Sequence, residues 1–309
     1  MKTFFFVGLF LSLSLLIQAQ DPLPSQFWNT PLNLNPAFTG QAKDLRFNMN
    51  YQNSLPNDST NFSVPISLDF YFKKLRSGIG VNGFYSSDNN FYKSYKVSLC
   101  YAYHFSILNK VGLSLGIEGG VLSRSLDLKG LSFEDLIDPR YGFVYQPIAA
   151  DFSKEKPRFD LNAGFSIYTK NIAIGLAAQH LTRPNLDAIG NNRLPIHWIV
   201  SATGDLGLVL FRIKPGIVYH QQDQFKLVQY GINIFVPILY VGVWGKQQIN
   251  ASDAVVLTAG IHLFKSFRLG YSYDLFLKKN SNSLIQSPIH EISFQLNLIK
   301  RDSKPAHRF

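Results

Sequence analysis

From about residue 44 onward the chain switches, residue by residue, between bulky apolar and small polar side chains. In the last such stretch Ile292, Phe294, Leu296 and Leu298 alternate with Glu291, Ser293, Gln295 and Asn297. A helix would mix those two sets, whereas a period of two places them on opposite faces of a strand. The pattern recurs: Val111, Leu113, Leu115 and Ile117 oppose Gly112, Ser114, Gly116 and Glu118, and Phe159, Leu161, Ala163, Phe165 and Ile167 oppose Asp160, Asn162, Gly164 and Ser166. Strands of soluble sandwiches alternate too, but their polar face is the outer one and their apolar face points inward. Here the polar face is small and glycine-rich while the apolar face is bulky and aromatic, as in a barrel whose outside meets lipid.

Dividing the chain at turn signals gives fourteen candidate strands, at 44–53, 61–72, 77–87, 90–106, 109–124, 157–168, 170–182, 194–205, 207–220, 224–236, 238–249, 253–264, 266–277 and 287–299. The expected fold is therefore all-β, a transmembrane antiparallel up-and-down β-barrel of about fourteen strands, and an even count suits a bacterial outer-membrane barrel. The connections alternate in length. Those near 73–76, 107–109, 169–171, 205–207, 236–238 and 264–267 are tight, whereas 125–156, 183–193 and 278–286 are long and polar; 221–223 is the short exception. Short periplasmic turns and long outer loops would produce that phasing, with both termini in the periplasm. In the longest connection, Ser132-Phe133-Glu134-Asp135-Leu136-Ile137 reads as a helical turn capped by Ser132.

The first residues carry Lys2, an apolar run from Phe4 to Ile17, and Ile17-Gln18-Ala19, which reads as a signal peptide over 1–19 with cleavage after Ala19. The run is about 14 residues against the 18 or more that a span needs. Residues 20–43 form a segment ahead of the barrel, 44–299 the barrel, and 300–309 a basic tail. An exported chain without a helical span is integral only as a closed barrel, because the bilayer satisfies no unpaired backbone group.

Charged residues are 16% of the chain, below the roughly 25% of soluble domains, in keeping with a lipid-facing surface. The single Cys100 excludes an internal disulfide and falls on the polar face of its strand. A net charge of +10 raises the question of nucleic acid, but the basic residues are scattered, with no run longer than Lys73-Lys74 and no binding module.

Little of the sequence points to catalysis. Gly78-Ile79-Gly80-Val81-Asn82-Gly83 matches a dinucleotide fingerprint in letters only, since Phe84-Tyr85-Ser86-Ser87 continue a strand where the fingerprint needs a helix. The seven histidines lack paired ligand spacing, and a nucleophile elbow is absent from the sequence. No catalytic residue, metal ligand or cofactor is expected. Nine charges share the polar parity: Arg46, Asp69, Glu118, Asp160, Arg212, Lys214, Arg268, Asp274 and Glu291. Charges of both signs are costly in lipid but tolerable in a lumen, where they could brace the wall, line a conduit or hold a plug. On the same logic Ser114 should tolerate a hydrated arginine where Leu115 would not. Tyr51, Phe62, Phe72, Tyr85, Tyr95, Tyr103, Phe105, Trp198 and Tyr219 gather near strand ends on the apolar parity, as interfacial girdles do.

The segment ahead of the barrel is different text. Gln20-Asp21-Pro22-Leu23-Pro24-Ser25-Gln26-Phe27, followed by Pro31-Leu32-Asn33-Leu34-Asn35-Pro36-Ala37-Phe38-Thr39-Gly40, has four prolines and little alternation, so it is not a central strand. Asn35-Pro36 and Thr39-Gly40 read as turns. Gln26, Phe27, Trp28, Leu32, Leu34, Asn35 and Pro36 are the candidates for a lumen plug or a partner contact; the bland alternative is a linker. This opening resembles that of the PorP/SprF family, outer-membrane proteins of the type IX secretion and gliding systems of Bacteroidetes. The resemblance continues through Arg193-Leu194-Pro195-Ile196-His197, Lys214-Pro215-Gly216, Gly270-Tyr271-Ser272-Tyr273-Asp274 and His290-Glu291-Ile292-Ser293. Ser287-Pro288-Ile289 replaces the family's usual Gly-Ser lead-in.

That resemblance implies a non-enzymatic component supporting export, surface display or anchoring of a large secreted partner, such as an adhesin with a type IX C-terminal sorting domain, alongside other type IX components and outer-membrane lipid, with no nucleic acid. The alternation itself implies only an outer-membrane barrel. A passive or solute-selective channel is the alternative, and an outer-membrane enzyme would need a Ser, a His and a carboxylate to converge across strands.

Overall fold

In the computed structural model the alternating stretches are strands, and the last of them closes onto the first. The structure describes residues 23–54, 61–88, 92–107, 111–126, 137–138, 142–143, 157–186, 193–249, 253–263, 266–277 and 288–298. Fourteen strands form the wall: β1 (Leu45–Ser54), β2 (Asn61–Phe72), β3 (Ser77–Asp88), β4 (Tyr92–Ile107), β5 (Val111–Leu126), β6 (Arg158–Tyr168), β7 (Ile172–Gln179), β8 (His197–Gly204), β9 (Arg212–Gln222), β10 (Phe225–Phe235), β11 (Leu239–Gln248), β12 (Asp253–Leu263), β13 (Phe267–Phe276) and β14 (Ile289–Leu298). Each pairs antiparallel with its neighbours in the chain, and β14 pairs with β1 from Leu45 opposite Leu298 to Ser54 opposite Ile289. Closure leaves no sheet edge with unpaired amides, the condition for a sheet in a bilayer. Among the described residues no helix is long and apolar enough to cross a membrane.

Burial is inverted relative to a soluble protein. In β4 Leu99 is 68% exposed while its neighbour Cys100 is 1% exposed, and in β5 Leu115 is 53% exposed while Ser114 is fully buried. Outward positions carry Ile66, Leu68, Ile79, Val81, Val97, Ile174, Val241 and Val243, whereas Asn48, Ser67, Asn82, Ser98 and Ser293 are buried on the inward face. The glycine-rich fingerprint around Gly78 lies inside β3, paired along its length with β2 and β4, so it is strand and not a phosphate loop. Of the girdle residues, Tyr51 stacks on Phe62 at 6.0 Å between ring centroids and Phe62 meets Tyr85 at 5.7 Å, a row crossing β1, β2 and β3.

Three boundaries differ from the sequence reading by three residues or more. The tight connection expected at 205–207 lies further on: Leu206 and Gly207 pair with Ile213 and Arg212, and the amide of Leu208 donates to the carbonyl of Phe211. The run Leu206-Gly207-Leu208-Val209-Leu210-Phe211 is apolar without a turn residue at its tip, which is why it reads as strand. Strand β7 ends at Gln179 and not at 182, because His180 adopts φ 59° and the amide of Leu181 crosses to the carbonyl of Leu161. Strand β8 begins at His197 and not at 194, since Leu194 donates instead to the carbonyl of Pro184. The helical turn expected over 132–137 falls outside the described residues except Ile137, which pairs with Phe143.

Candidate functional site: a plugged lumen

The segment ahead of β1 folds as three short helical turns inside the barrel. A 3₁₀ turn spans Phe27–Asn29, one α-helical turn Pro31–Leu34, and a second 3₁₀ turn Pro36–Phe38. Proline starts the second and third, where its missing amide has no intrahelical partner to lose. The Asn35 side chain caps the third by accepting from the amide of Ala37 at 2.8 Å. Gly40, at φ 72°, turns the chain toward β1 within van der Waals reach of Gly78. Lys43 follows, just outside the span; burial and then the nearby Lys73 ammonium lower its pKa.

Every residue from Ser25 to Phe38 except Asn33 is buried, although none belongs to a strand. Phe27 and Trp28 meet each other edge to face at 5.2 Å, and Trp28 stacks on Trp244 of β11 at 4.6 Å. Around them the wall is apolar: Tyr168, Ala173, Ala177, Ile199, Val218 and Val256 complete one buried cluster with Phe27, Trp28, Leu34 and Phe38. Leu32 is fully buried against Gly80, and Gln26 lies between Ser293 and Tyr240.

A recess in the wall receives Asn35, Pro36 and Ala37. Gly116 of β5 and Gly164 of β6 are paired, and Gly175 follows on β7. A Cβ on Gly116 would stand 2.3 Å from the Ala37 nitrogen, and one on Gly175 would stand 2.7 Å from the Phe38 ring. Asn35 donates from Nδ2 to the carbonyls of Phe165 and Leu176, both at 3.1 Å, and Ser114 Oγ donates to the carbonyl of Ala37 at 2.6 Å. Ser114 thus faces plug backbone. The expectation that it would tolerate a hydrated arginine is wrong for that reason.

The nine inward charges fall into separate groups. Arg46 and Asp69 form a fully buried bidentate pair at 2.9 and 3.0 Å; Arg46 also donates to the Phe38 carbonyl, and Asp69 accepts from the Gly40 amide at 2.7 Å. Glu118 pairs with Lys96 at 2.6 Å and Asp160 with His180 at 2.9 Å. Asp274 pairs with Lys246 at 2.8 Å, and both meet Ser25 Oγ. Glu291 accepts from the amides of Ser25 at 2.6 Å and Gln26 at 3.1 Å and from the Asn50 side chain at 2.6 Å. Arg268 donates to Asn29 and lies over the Phe235 ring. Arg212 and Lys214 pair with Asp205 at 3.2 and 3.6 Å. Arg212 is a correction: its side chain is 53% exposed at the tight-turn rim, because it sits at the first position of β9, beyond the filled lumen. Lys96, Lys246 and His180 are partners that sequence reasoning missed, though Lys96 shares the inward parity of Cys100 and was legible on that ground.

The direction of the segment follows from its two ends. The Leu23 carbonyl accepts from Gln52, close to the end of β1 at Ser54, and that of Pro24 accepts from Gln229 of β10. At the other extreme, the Thr39 carbonyl meets His104 Nε2 at 2.8 Å, near the tight turn after β4. The chain therefore runs through the lumen from the long-loop end to the tight-turn end. Beside Leu23 lies a small pocket of about 50 Å³ lined by Phe27, Leu34, Phe84, Lys96, His180 and His197. No cluster of three or more candidate metal ligands occurs among the described residues.

A closed antiparallel barrel with an apolar exterior and its own N-terminal segment in the lumen is an outer-membrane barrel of the plugged kind. Solved structures of similar fold include a toluene transporter, TbuX, of Ralstonia pickettii, at 10% identity and a TM-score of 0.55 over 87% of this chain and 93% of that one. The deltaS2S3 mutant of the monoaromatic hydrocarbon channel TodX matches at 12% identity and a TM-score of 0.52, over 87% of this chain and 94% of that one. No curated protein matches the chain. The chain belongs to the family of type IX secretion system membrane proteins, PorP/SprF, whose family model matches residues 16–296. Family and fold are those of a secretion-system barrel and not of an enzyme family.

Proposed function

We propose that this barrel is a non-enzymatic component of type IX secretion and gliding machinery that supports export, surface display or anchoring of a large secreted partner, such as an adhesin with a type IX C-terminal sorting domain. The observation that carries the reading is the pairing of family membership along almost the whole chain with a lumen filled by the chain's own residues. A filled lumen leaves a folded or extended polypeptide little room to pass, which favours anchoring at the barrel's ends over transport through it. Gln26, Phe27, Trp28, Leu32, Leu34, Asn35 and Pro36 act as the plug, and the buried ion pairs hold it. The outer-membrane location, with the C-terminus periplasmic, follows from the same reading. Replacing Phe27, Trp28, Leu32 and Leu34 together by Ser should leave membrane insertion intact while surface display of the partner falls to the level of a deletion strain. Normal display in the deletion strain itself would remove the secretion reading.

The second reading is a solute-selective channel. Its support is the likeness in fold to hydrocarbon channels and the part-apolar pocket beside Leu23. Solute flux into proteoliposomes that persists in the wild-type protein would promote it.

A further inference from the structure

The N-terminal end of the plug lies where the long loops are. Leu23 and Pro24 are bonded to Gln52 and Gln229, and Ser25 to Asp274 and Glu291, all in the long-loop portions of their strands. Leu23 and Pro24 are half-buried, in contrast to the fully buried residues that follow, and both line the pocket with Lys96, His180 and His197. Toward the tight-turn end the path is shut by Arg46–Asp69, the Asn35–Phe38 recess and the close approach of Gly40 to Gly78.

We propose that Leu23, at the N-terminal end of the plug, faces the cell exterior, so that the plug runs through the lumen from the outer side to the periplasmic side. The inference rests on the sidedness in the functional reading above, with long loops outside and tight turns in the periplasm. It adds a direction: the mature chain crosses the membrane once inside the lumen before it begins its first strand.

Three single cysteines in a Cys100→Ser background test it on intact cells with an impermeant maleimide: Leu23→Cys at the plug end, Gln224→Cys at the β9–β10 turn, and Lys74→Cys at a tight turn. Both Gln224 and Lys74 are exposed. Labelling of Leu23→Cys together with Gln224→Cys, and of Lys74→Cys only after the envelope is opened, is the expected result. Labelling of Leu23→Cys only in the company of Lys74→Cys after opening, or in neither preparation, overturns the proposal. The reverse behaviour of the two controls would show instead that the sidedness is inverted, which overturns the underlying reading and this one with it. An epitope inserted directly ahead of Leu23 gives a second readout, because antibody must then bind unopened cells.

Discussion

Alanine at Gly116 is the sharpest test of the plug. In an ordinary strand position Gly→Ala is neutral or stabilising, by about 0.5–1 kcal/mol, because alanine orders more readily. Here the added Cβ would stand 2.3 Å from the Ala37 nitrogen, 2.4 Å from the Pro36 carbonyl carbon and 2.5 Å from the Ala37 Cα. All three are backbone atoms, so no side chain can swing away, and overpacking of this kind costs about 1–3 kcal/mol or more. Opposing it are the wall bonds of Asn35 to Phe165 and Leu176, of Ser114 to Ala37 and of His104 to Thr39, at roughly 1 kcal/mol each. The clash offsets much of that holding energy, so plug residues 35–39 should leave the recess more often than in the wild type while the ladder from Gly116 to Gly164 and Ala102 stays intact. Gly119→Ala on the same strand is the matched control, since its Cβ would meet only the Phe159 ring at 3.7 Å. Protection of residues 23–44 against protease added to purified protein, with heat-modifiability reporting the barrel, separates the two variants. If both keep the plug equally protected in folded barrels, the recess does not hold the segment and the reasoning fails.

Other outcomes follow from the same geometry. Leu115→Arg, on the lipid face near mid-strand, should lower insertion by about 2–4 kcal/mol, whereas Ser114→Arg should insert but expose the plug; equal insertion with equal plug protection would contradict the inside–outside assignment. Glu291→Ala leaves the amides of Ser25 and Gln26 without their acceptor, at about 1–3 kcal/mol. Hydrogen exchange at those two amides should quicken while the strand amides hold, and unchanged exchange would show that Glu291 does not clamp the plug.

The wall was legible because lipid demands a one-residue alternation that survives in Ile292 and Ser293 as plainly as in Leu115 and Ser114. Turn position was legible where a turn residue or charge marked it, as at Lys73-Lys74, and lost at Val209 and Leu210, where an apolar run passes through the bend. The inward face was only half legible. Tyr168, Tyr240 and Trp244 are bulky residues on the face expected to be small, and their size answers to the plug they touch, a partner more than a hundred residues away in sequence for each. The glycine recess is hidden for a related reason: Gly116, Gly164 and Gly175 become one surface only once the registers of β5, β6 and β7 are known.

Glu291 lies on the last strand and holds Ser25, one of the first residues of the plug, across 266 positions of sequence. The carboxylate does not exist during synthesis until nearly everything else has left the ribosome, and β14 is also the strand that completes the cylinder with β1. Sealing the wall and fastening the first residues of the plug are therefore a single late event. A truncated chain that stops before β14 loses both at once, and would reach the membrane as an open, unlatched sheet and not as a barrel with a loose stopper.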